Sequence, residues 1–466
     1  MSATENLDQR AAWPLLQSER TWGQARLFMV LLVAAAATWC YIIGEYVGYY
    51  LNLKMGFAAL TAGSMIGMLL VTLAVVPTAT RYGVDSIAAA RPQFGSRGWI
   101  ITVFLQYVSI IGWNALLIIF FGRSVAELLR LLGLVDETAE AWITPVVTLV
   151  GCAFVYGTLL RGATGLERVS VVLFFFIVGV GAWMVWLLLD QQGDALAAAV
   201  PAYASGDLQW DYVTGVELGI ASLLSWWPYI GAMVRQAPSA HTATLPSMLG
   251  MGLPVPLLSV IGLAAILALQ VSDPAAWMVQ LGGPVYGAIA LVFVIAANLG
   301  TAVAGVYATT VGLKQVPGLN RIAWHWLLLA ALVPVAIVGV FIQDLFFANF
   351  GTFLAFIGVA FGPVCAIQIV DTLILRRGRI SVRGLYDGGP DSAYRYWAGF
   401  NPAAILAMAA GCATYLWLLD PITYESAGPY AFLTASLPTV VVSGVVYLLA
   451  TWVLVMPAGK GGYRRT

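Results

Sequence analysis

Charged residues are scarce in this chain of 466 residues: Asp, Glu, Lys and Arg together make up 9% of it, and hydrophobic residues make up 61%. A soluble domain carries roughly 25% charged residues. The long hydrophilic stretches are confined to the first 26 residues, the segment 376–398 and a short tail. This composition leaves no room for a soluble domain and indicates a protein that crosses the lipid bilayer several times.

Histidine and cysteine are also rare. The two histidines, His241 and His325, flank predicted helix ends, so they cannot form a cluster of metal ligands or catalytic bases. The cysteines lie inside apolar runs, where they behave as small hydrophobic residues. We therefore expect no disulfide, no metal and no cofactor, and no enzyme, since catalysis would need a nucleophile and a base within reach. The cysteines are Cys40, Cys152, Cys365 and Cys412.

What the chain has in abundance is apolar windows of about 20 residues, the length that crosses a hydrocarbon core of about 30 Å. Hydropathy places twelve of them along the sequence. They lie near 27–51, 56–80, 99–122, 143–160, 169–189, 212–234, 245–270, 284–313, 322–343, 345–375, 401–419 and 432–456.

The basic residues divide unevenly between alternate connections. The N-terminus lacks the small-residue cleavage site of a signal peptide, and we place it in the cytoplasm. Nineteen Lys and Arg residues then fall on the cytoplasmic side, and only Lys54, Arg123 and Arg130 fall outside. The positive-inside rule predicts this distribution, and a shift of one helix would scramble it. We predict a multi-pass protein of the cell (inner) membrane with both termini in the cytoplasm.

Two apolar segments carry the signs of an interrupted helix. Residues 224–231 read Leu-Ser-Trp-Trp-Pro-Tyr-Ile-Gly, and residues 38–44 read Thr-Trp-Cys-Tyr-Ile-Ile-Gly, with the hydroxyl, Trp, Ile and Gly in the same order. An internal proline removes a helical hydrogen bond, and in lipid such a break survives only inside protein or along a cavity. Paired breaks in two halves point to the binding site of a secondary transporter. Chance agreement of two short aromatic runs is the alternative.

Three patches have a distinctive residue order, and all three resemble the nucleobase:cation symporter-1 family, which includes purine, cytosine, allantoin, hydantoin and thiamine permeases. The patches are Arg81-Tyr82-Gly83 with Ala90-Arg91 and Phe94–Gly98; Asp371 with Arg376–Arg379, Leu385-Tyr386 and Gly399–Asn401; and Ser225–Tyr229 with Arg235. The purine and cytosine branch of the family has an aspartate and a tyrosine before the arginine of the third patch. In this chain those two residues are replaced by Ala232 and Met233.

The resemblance implies the five-plus-five inverted repeat of the sodium-coupled leucine transporter, followed by two C-terminal helices. We therefore predict an all-α polytopic membrane protein with twelve transmembrane helices, of which the first and the sixth are broken. The predicted divisions are a cytoplasmic N-terminal tail (1–26), a first repeat (27–190), a second repeat (211–377), a cytoplasmic loop (378–398), the last two helices (399–457) and a cytoplasmic tail (458–466).

The same resemblance places the substrate at the bilayer midplane, between the broken helices and the third and eighth helices. A planar ring needs apolar faces to stack on and a few polar groups to bind its edge. Trp113 resembles the stacking tryptophan of the family. In the family an amide often follows one turn later, but that position is Leu117 here, so either Asn114 takes its place or the contact is absent. Asn298 resembles the substrate asparagine, and a polar clamp between helices is an equally simple explanation of it.

Other candidates come from the two breaks. Trp226 or Trp227 would form the second stacking face next to Ser225, unless both only pack at the break. In the family, the aromatic residue of the sixth helix lies two turns earlier, and that spacing would place it at Ile220.

On the first helix, Thr38 and Trp39 would line the site. If the eighth helix is aligned on Tyr307 rather than on Asn298, the asparagine position moves to near Thr301.

The residues expected to hold sodium in this fold are apolar here. Sodium would need hydroxyls on the eighth helix, about a turn and a half before the asparagine. Counting back from Asn298 reaches Val292 and Phe293, and the Tyr307 alignment reaches Ala296. None of these side chains binds a cation.

Two carboxylates, Glu45 and Glu217, lie inside predicted spans on the outer side of the breaks. Ionisable residues inside a membrane are functional candidates by default, and desolvation together with like charge favours their protonated forms. We predict proton coupling through Glu45 or Glu217, with sodium as the less favoured ion. The alternative is a pair of glutamates hydrated by an outer vestibule.

These features together predict a secondary active symporter that imports a nucleobase or a related heterocycle, of the cytosine, purine, uracil, allantoin or hydantoin type, by alternating access. Its partners are the small heterocyclic substrate and the lipid bilayer, with no nucleic acid, and its oligomeric state is left open. An amino-acid or other small-solute carrier of the same fold is the alternative. Such a carrier would have a Gly-rich break that exposes helix N-termini to a carboxylate, where this chain has tryptophans. An intramembrane enzyme is the remote alternative.

Overall fold

The computed structural model describes residues 13–136, 140–160, 166–387, 389 and 392–463. Within these ranges the chain is helical, and extended pairing is limited to two isolated bridges, Trp397 with Phe400 and Leu419 with Ser426. The predicted all-α class is therefore confirmed for the described residues. Residues 1–12 of the predicted N-terminal tail (1–26), residues 464–466 of the predicted C-terminal tail (458–466) and Arg161 lie outside them.

The first half of the chain forms seven helices within the described ranges. The opening pair, α1 and α2, is bent by 58°. The helices are α1 Gln24–Ala35, α2 Thr38–Gly48, α3 Leu53–Tyr82, α4 Ser86–Phe94, α5 Ile100–Leu131, α6 Glu140–Leu159 and α7 Leu166–Ala198.

The second half opens with two helices, α8 and α9, separated by a turn at Ser225 and Trp226, and both of these residues keep helical backbone angles. A π-helical turn at Met248–Gly252 links α10 to α11, and similar turns at Val370–Leu375 and Thr451–Val455 extend α15 and α19. The helices are α8 Leu208–Leu224, α9 Trp227–Val234, α10 Ala240–Ser247, α11 Pro254–Leu269, α12 Pro274–Lys314, α13 Trp324–Phe341, α14 Gln343–Ala348, α15 Phe350–Ile369, α16 Val382–Tyr386, α17 Pro402–Leu418, α18 Tyr430–Leu433 and α19 Ser436–Ala450.

By length and composition, eight of the described helices can cross a membrane, or nine if the bent pair α1–α2 counts as one span. This agrees with the predicted polytopic membrane protein. The longest helix, α12, contains a non-helical residue, Gly283, with φ of 62° and ψ of −172°. A positive φ is easily adopted only by glycine. The segment after Gly283 therefore starts at Pro284, where the eighth apolar window was predicted to begin.

The two interruptions lie next to the predicted hydroxyl-Trp pairs. Between α1 and α2, Ala36 and Ala37 leave the helical region, and α2 restarts at Thr38. Between α8 and α9, the new helix starts at Trp227 with Pro228 in its first turn. A proline in the first turn removes no helical hydrogen bond, because the first N–H groups of a helix have no partner in the helix.

Glycines bring the helices that flank the breaks into close contact. A Cβ atom on Gly44 of α2 would lie 1.7 Å from the carbonyl oxygen of Ser259 on α11. A Cβ atom on Gly63 of α3 would lie 2.2 Å from the carbonyl oxygen of Val216 on α8. Small residues permit this backbone approach inside a membrane. The interrupted helices are therefore held firmly by α11 and α3.

The two loop patches of the sequence analysis pack against each other. The segment 13–23, the connection 83–99, the described residues of the connection 376–401 and the tail 456–463 lie together on one side of the helices, which we call the terminal face. The backbone hydrogen bonds that join these segments are Leu15 N to Gly83 O (2.9 Å), Ser96 N to Tyr394 O (2.8 Å) and Arg97 N to Gly399 O (2.8 Å).

A buried carboxylate, Asp371, ties the terminal face together. Its Oδ2 accepts hydrogen bonds from Arg376 Nε (2.6 Å) and Gln93 Nε2 (2.9 Å). Its Oδ1 accepts from the hydroxyls of Tyr447 (3.0 Å) and Tyr463 (2.6 Å). The side chains of Asp371 and Arg376 are 0% and 2% exposed. One carboxylate thus joins the end of α15 to α4, α19 and the tail.

Candidate functional site

Three tryptophans from three different elements meet beside the breaks. Trp39 lies in the first turn of α2, Trp113 in the middle of α5, and Trp226 between α8 and α9. The centroid of the Trp39 ring lies 5.6 Å from that of Trp113, at an interplanar angle of 72°, and 5.6 Å from that of Trp226, at 43°. We call these three residues the tryptophan cluster. All three are buried, so the cluster presents large apolar faces within the protein interior.

Further rings extend the cluster. Phe350 and Phe353 of α15 contact Trp113 edge-on, with centroids 5.6 Å and 5.8 Å away. Tyr229 of α9 lies 4.7 Å from Trp226. The sequence analysis named Tyr229 only as part of the third patch and did not mention Phe350 and Phe353, because phenylalanine is common in apolar spans and nothing local marked those two residues. Their place beside Trp113 and Trp226 depends on how α15 and α9 pack.

Asn298 of α12 joins the cluster to the first break. Its Oδ1 accepts hydrogen bonds from the backbone N of Thr38 (3.2 Å) and from the Thr38 hydroxyl (2.9 Å). A backbone N–H can only donate, so the oxygen of the amide must face Thr38. The Asn298 Nδ2 group therefore points elsewhere, and it is buried without a hydrogen-bond partner among the described residues. The expected clamp between helices is present, and it leaves the amide donor free.

Several buried polar atoms on the tryptophan cluster and on helices α5 and α12 have no partner in the described part of the chain. Buried polar groups in folded proteins are nearly always hydrogen-bonded. Unpaired groups on the elements that carry three flat rings are suited to the edge of a polar ring that stacks there. The atoms are Trp39 Nε1, Trp113 Nε1, Asn298 Nδ2, Asn114 Oδ1 and Thr301 Oγ1.

Asn114 and Thr301 belong to the contact between α5 and α12. A Cβ atom on Gly305 would lie 2.7 Å from Asn114 Oδ1, so the asparagine side chain rests directly on α12. Thr301 follows Asn298 by about one helical turn on the same helix. Both predicted positions on α12, Asn298 and Thr301, therefore lie on one face of it.

Two of the predicted residues at the second break are engaged elsewhere. Trp227 Nε1 donates to Gln368 Oε1 of α15 at 2.6 Å, and its ring lies 5.8 Å from that of Phe361. Trp227 thus packs against α15, and Trp226 is the tryptophan that joins the cluster. The hydroxyl of Ser225 donates to the carbonyl oxygen of Ser222 one turn earlier, so its proton is already used. Ile220 is a fully buried apolar residue of α8.

The two buried glutamates differ in their surroundings. Glu45 accepts one hydrogen bond, from the Tyr49 hydroxyl at 2.8 Å. Glu217 accepts four: from the Tyr415 hydroxyl (2.9 Å), the Ser436 hydroxyl (2.6 Å) and the backbone N atoms of Ser436 (2.9 Å) and Ala435 (3.1 Å). Since Ser436 begins α19, Glu217 caps the N-terminus of that helix, where a negative charge is favourable.

The chemistry available at the tryptophan cluster is stacking and hydrogen bonding. The cluster itself contains no titratable acid or base, and the described residues hold no group of three His, Cys, Asp or Glu side chains that could bind a metal. Large aromatic faces with a few convergent polar groups are typical of a binding site for a small planar ligand.

A protein-family comparison matches residues 14–446 to the model described as permease for cytosine/purines, uracil, thiamine and allantoin. Among curated relatives, the chain is 22% identical over 423 residues to a hydantoin permease of Microbacterium maritypicum, covering 86% of this chain and 82% of that protein. It is also 22% identical over 424 residues to the purine-uracil permease NCS1 of Arabidopsis thaliana, covering 85% of this chain and 69% of that protein.

Among solved structures, the chain resembles Mhp1 in an inward-facing conformation, with a TM-score of 0.76, 20% identity and coverage of 94% of this chain and 91% of the other. For Mhp1 in a closed conformation with bromovinylhydantoin, the TM-score is 0.75 at 21% identity, covering 94% and 93%. A sodium-coupled sialic acid symporter gives a TM-score of 0.63 at 10% identity, covering 95% and 94%. These similarities show a shared transporter fold.

Proposed function

Because the chain belongs to the family of permeases for cytosine, purines, uracil, thiamine and allantoin, we propose that it is a symporter that imports a nucleobase or a related nitrogen heterocycle. Like its relatives, the protein is a permease and not an enzyme. The observation that carries the proposal is the tryptophan cluster with its unpaired polar atoms. The relatives support the substrate class, since one is a hydantoin permease and another is a purine-uracil permease.

Each part of the cluster has a role in this proposal. Trp113 and Trp226 provide the faces on which the heterocycle stacks, and the ring edge bonds to Asn298 Nδ2 and Asn114 Oδ1. The Asn298 contact with Thr38 supports coupling between substrate binding and the first break, because both involve the same amide. Thr301 lies one turn from Asn298 and is the further hydrogen-bonding group of the site.

We assign twelve transmembrane spans to the helices, with α1–α2 and α8–α9 as the broken first and sixth spans of a five-plus-five repeat. The remaining spans are α3, α5, α6, α7, α10–α11, the part of α12 after Gly283, α13, α15, α17 and α19. The protein works by alternating access in the cell (inner) membrane, with the terminal face in the cytoplasm. The basic residues Arg81, Arg97 and Arg376 in the connections of that face support the orientation.

The transporter is tested by uptake into proteoliposomes. Labelled uracil, cytosine, adenine, allantoin and hydantoin are offered singly and in competition, with protein-free liposomes as the control. We expect saturable uptake of at least one of these rings, inhibited by the others in order of affinity. Uptake of an aliphatic amino acid in place of every heterocycle would contradict the proposed substrate class and favour the amino-acid carrier.

We further propose proton coupling, with Glu45 as the residue that carries the proton. Among the described residues Glu45 has one hydrogen-bond partner, Tyr49, and its carboxyl group can therefore change protonation without dismantling other contacts. Glu217 is bound to the start of α19 by four hydrogen bonds, which favours a structural role. The positions where sodium would be held include Val292, an apolar residue that is 49% exposed on the surface of α12. Its side chain offers no ligand for sodium, which supports the proton as the coupling ion.

Glu45→Gln is expected to abolish accumulation driven by a proton gradient while exchange of labelled for unlabelled substrate continues, because glutamine accepts a hydrogen bond but carries no titratable proton. Uptake is measured with imposed pH gradients in sodium-free buffer. Glu217→Gln is the matched control: it should lower stability, by weakening the cap of α19, and retain coupling. Accumulation that follows a sodium gradient at clamped pH and persists in Glu45→Gln would refute the assignment.

A further inference from the structure

We propose that Trp39 is an internal occupant of the substrate site: its indole fills the space between Trp113 and Trp226 and must move aside before a heterocycle can stack there. Residue 39 then sets the affinity and the size of the ring that is accepted. This inference rests on the proposed function, because it concerns the same site. It goes further by assigning to Trp39 a role opposite to that of the two stacking residues.

The geometry of the three rings motivates the proposal. The Trp39 ring contacts both Trp113 and Trp226, with centroids 5.6 Å away in each case. The plane of the Trp39 ring is inclined by 72° to that of Trp113 and by 43° to that of Trp226, so Trp39 stacks on neither. A heterocycle held between two aromatic faces lies nearly parallel to them, at a contact distance of about 3.5 Å from each. Because the Trp39 ring contacts both proposed stacking faces, the proposal takes the space of the stacked heterocycle to include that of the indole.

Trp39 is supported by fewer fixed contacts of its own helix than Trp113. Its Nε1 is buried without a hydrogen-bond partner among the described residues, so no polar contact fixes its rotamer. It lies in the first turn of α2, directly after the non-helical residues Ala36 and Ala37. Trp113 Nε1 is also buried without a partner among the described residues, but Trp113 lies in the middle of the long helix α5 and is supported by two rings of α15. The proposal therefore assigns the movement to Trp39, which lies at the end of a helix.

The backbone at this position does not need to move with the side chain. Thr38, the preceding residue, is anchored by two hydrogen bonds to Asn298. A rotation of the Trp39 side chain about its own bonds would open the space and keep the anchor intact. The indole is a bicyclic ring of about the size of a purine, so the vacated space would admit a bicyclic heterocycle as well as a single ring.

The proposal predicts whether a substitution of Trp39 raises or lowers the affinity for the heterocycle. If Trp39 competes with the substrate, Trp39→Ala removes the competitor and should tighten binding by about tenfold, the equivalent of the aromatic contacts that wild type must break. Trp39→Phe keeps a smaller ring and should be intermediate. The gain should be greater for adenine than for uracil, because the bicyclic ring needs more of the vacated space. If Trp39 were a wall of the site, its removal would weaken binding instead.

Equilibrium binding of labelled adenine and uracil to purified wild type, Trp39→Ala and Trp39→Phe provides the test. Thermal unfolding checks that each variant is folded, and Trp39→Phe carries the comparison if the alanine variant is not. Tighter binding in the order wild type, Phe, Ala supports the proposal. Equal or weaker binding by the variants overturns it and leaves the proposed function standing. If no variant and no wild-type protein binds any of the five heterocycles named above, the proposed function itself fails.

A second measurement reports the motion directly. The protein is labelled with 5-fluorotryptophan, and the fluorine resonance of position 39 is identified by its loss in Trp39→Phe. Addition of a heterocycle that the protein binds should shift this resonance more than that of Trp277, a buried tryptophan that contacts Tyr41 outside the cluster. An unchanged position-39 resonance at saturating ligand would show that the indole stays in place and would overturn the proposal.

Discussion

Asp371→Asn is expected to lower the stability of the folded protein by about 3 to 5 kcal/mol, the usual effect of removing one partner of a buried ion pair. The substitution leaves the guanidinium of Arg376 buried without its counter-charge. It also puts an amide donor in a place where Gln93 and Arg376 already donate, since both bond to Asp371 Oδ2. The hydroxyls of Tyr447 and Tyr463 lose a charged acceptor at the same time.

The effect on stability is measured as the midpoint of thermal unfolding in detergent. Unfolding is monitored through the fraction of protein that stays monodisperse. Asp420→Asn is the control, because Asp420 is an exposed carboxylate that caps a turn on the other side of the molecule, and its replacement should change the midpoint little. A double variant, Asp371→Asn with Arg376→Met, should recover part of the loss, because the unpaired buried charge is gone. A single variant as stable as wild type would show that the ion pair is not needed for stability.

Trp113→Ala is expected to weaken binding of the heterocycle by about 1 to 3 kcal/mol, the usual contribution of stacking on an aromatic ring, which corresponds to roughly 5- to 150-fold in affinity. Trp113 is buried at the centre of the cluster and is backed by Phe350 and Phe353, so its face is rigid. Trp113→Phe retains an aromatic face and should lose much less. Affinity is measured by equilibrium binding of the heterocycle that wild type takes up.

A control is needed because truncation of any buried tryptophan lowers stability by several kcal/mol, typically about 3 to 5. Trp277→Ala serves this purpose: Trp277 is as deeply buried, but it packs on Tyr41 at 5.7 Å and not on the tryptophan cluster. It should destabilise the protein to a similar degree and leave the affinity unchanged. Equal affinity in the Trp113→Ala and Trp277→Ala variants would remove Trp113 from the site.

Family membership was accessible from sequence because its signals are local. The motifs at 81–83, 94–98 and 399–401 are short and contiguous, and the family comparison covers residues 14–446. The helical class was equally accessible, since long apolar windows have few alternatives to helix in lipid. The sequence did not reveal that these motifs lie together, because contact between residues 94–98 and 394–401 depends on the folding of the whole chain.

The site shows the same division between local and long-range information. A proline and a pair of tryptophans mark an interruption in any apolar segment, so the vicinity of Ser225 could be identified from the sequence. Which of Trp226 and Trp227 faces Trp39 could not. Successive residues of a helix project about 100° apart, and the choice depends on the neighbours: Gln368 of α15 binds Trp227, and Trp226 is left to the cluster.

By itself the sequence determined that this protein is a helical membrane permease, because hydrophobicity and short motifs act within a few residues. The tertiary structure alone decided that Trp39 contacts both Trp113 and Trp226, that Asn298 turns its oxygen to Thr38, and that Glu217 caps α19 while Glu45 bonds to Tyr49. Those arrangements depend on side-chain orientations set by packing between helices distant in sequence, and no local pattern records them.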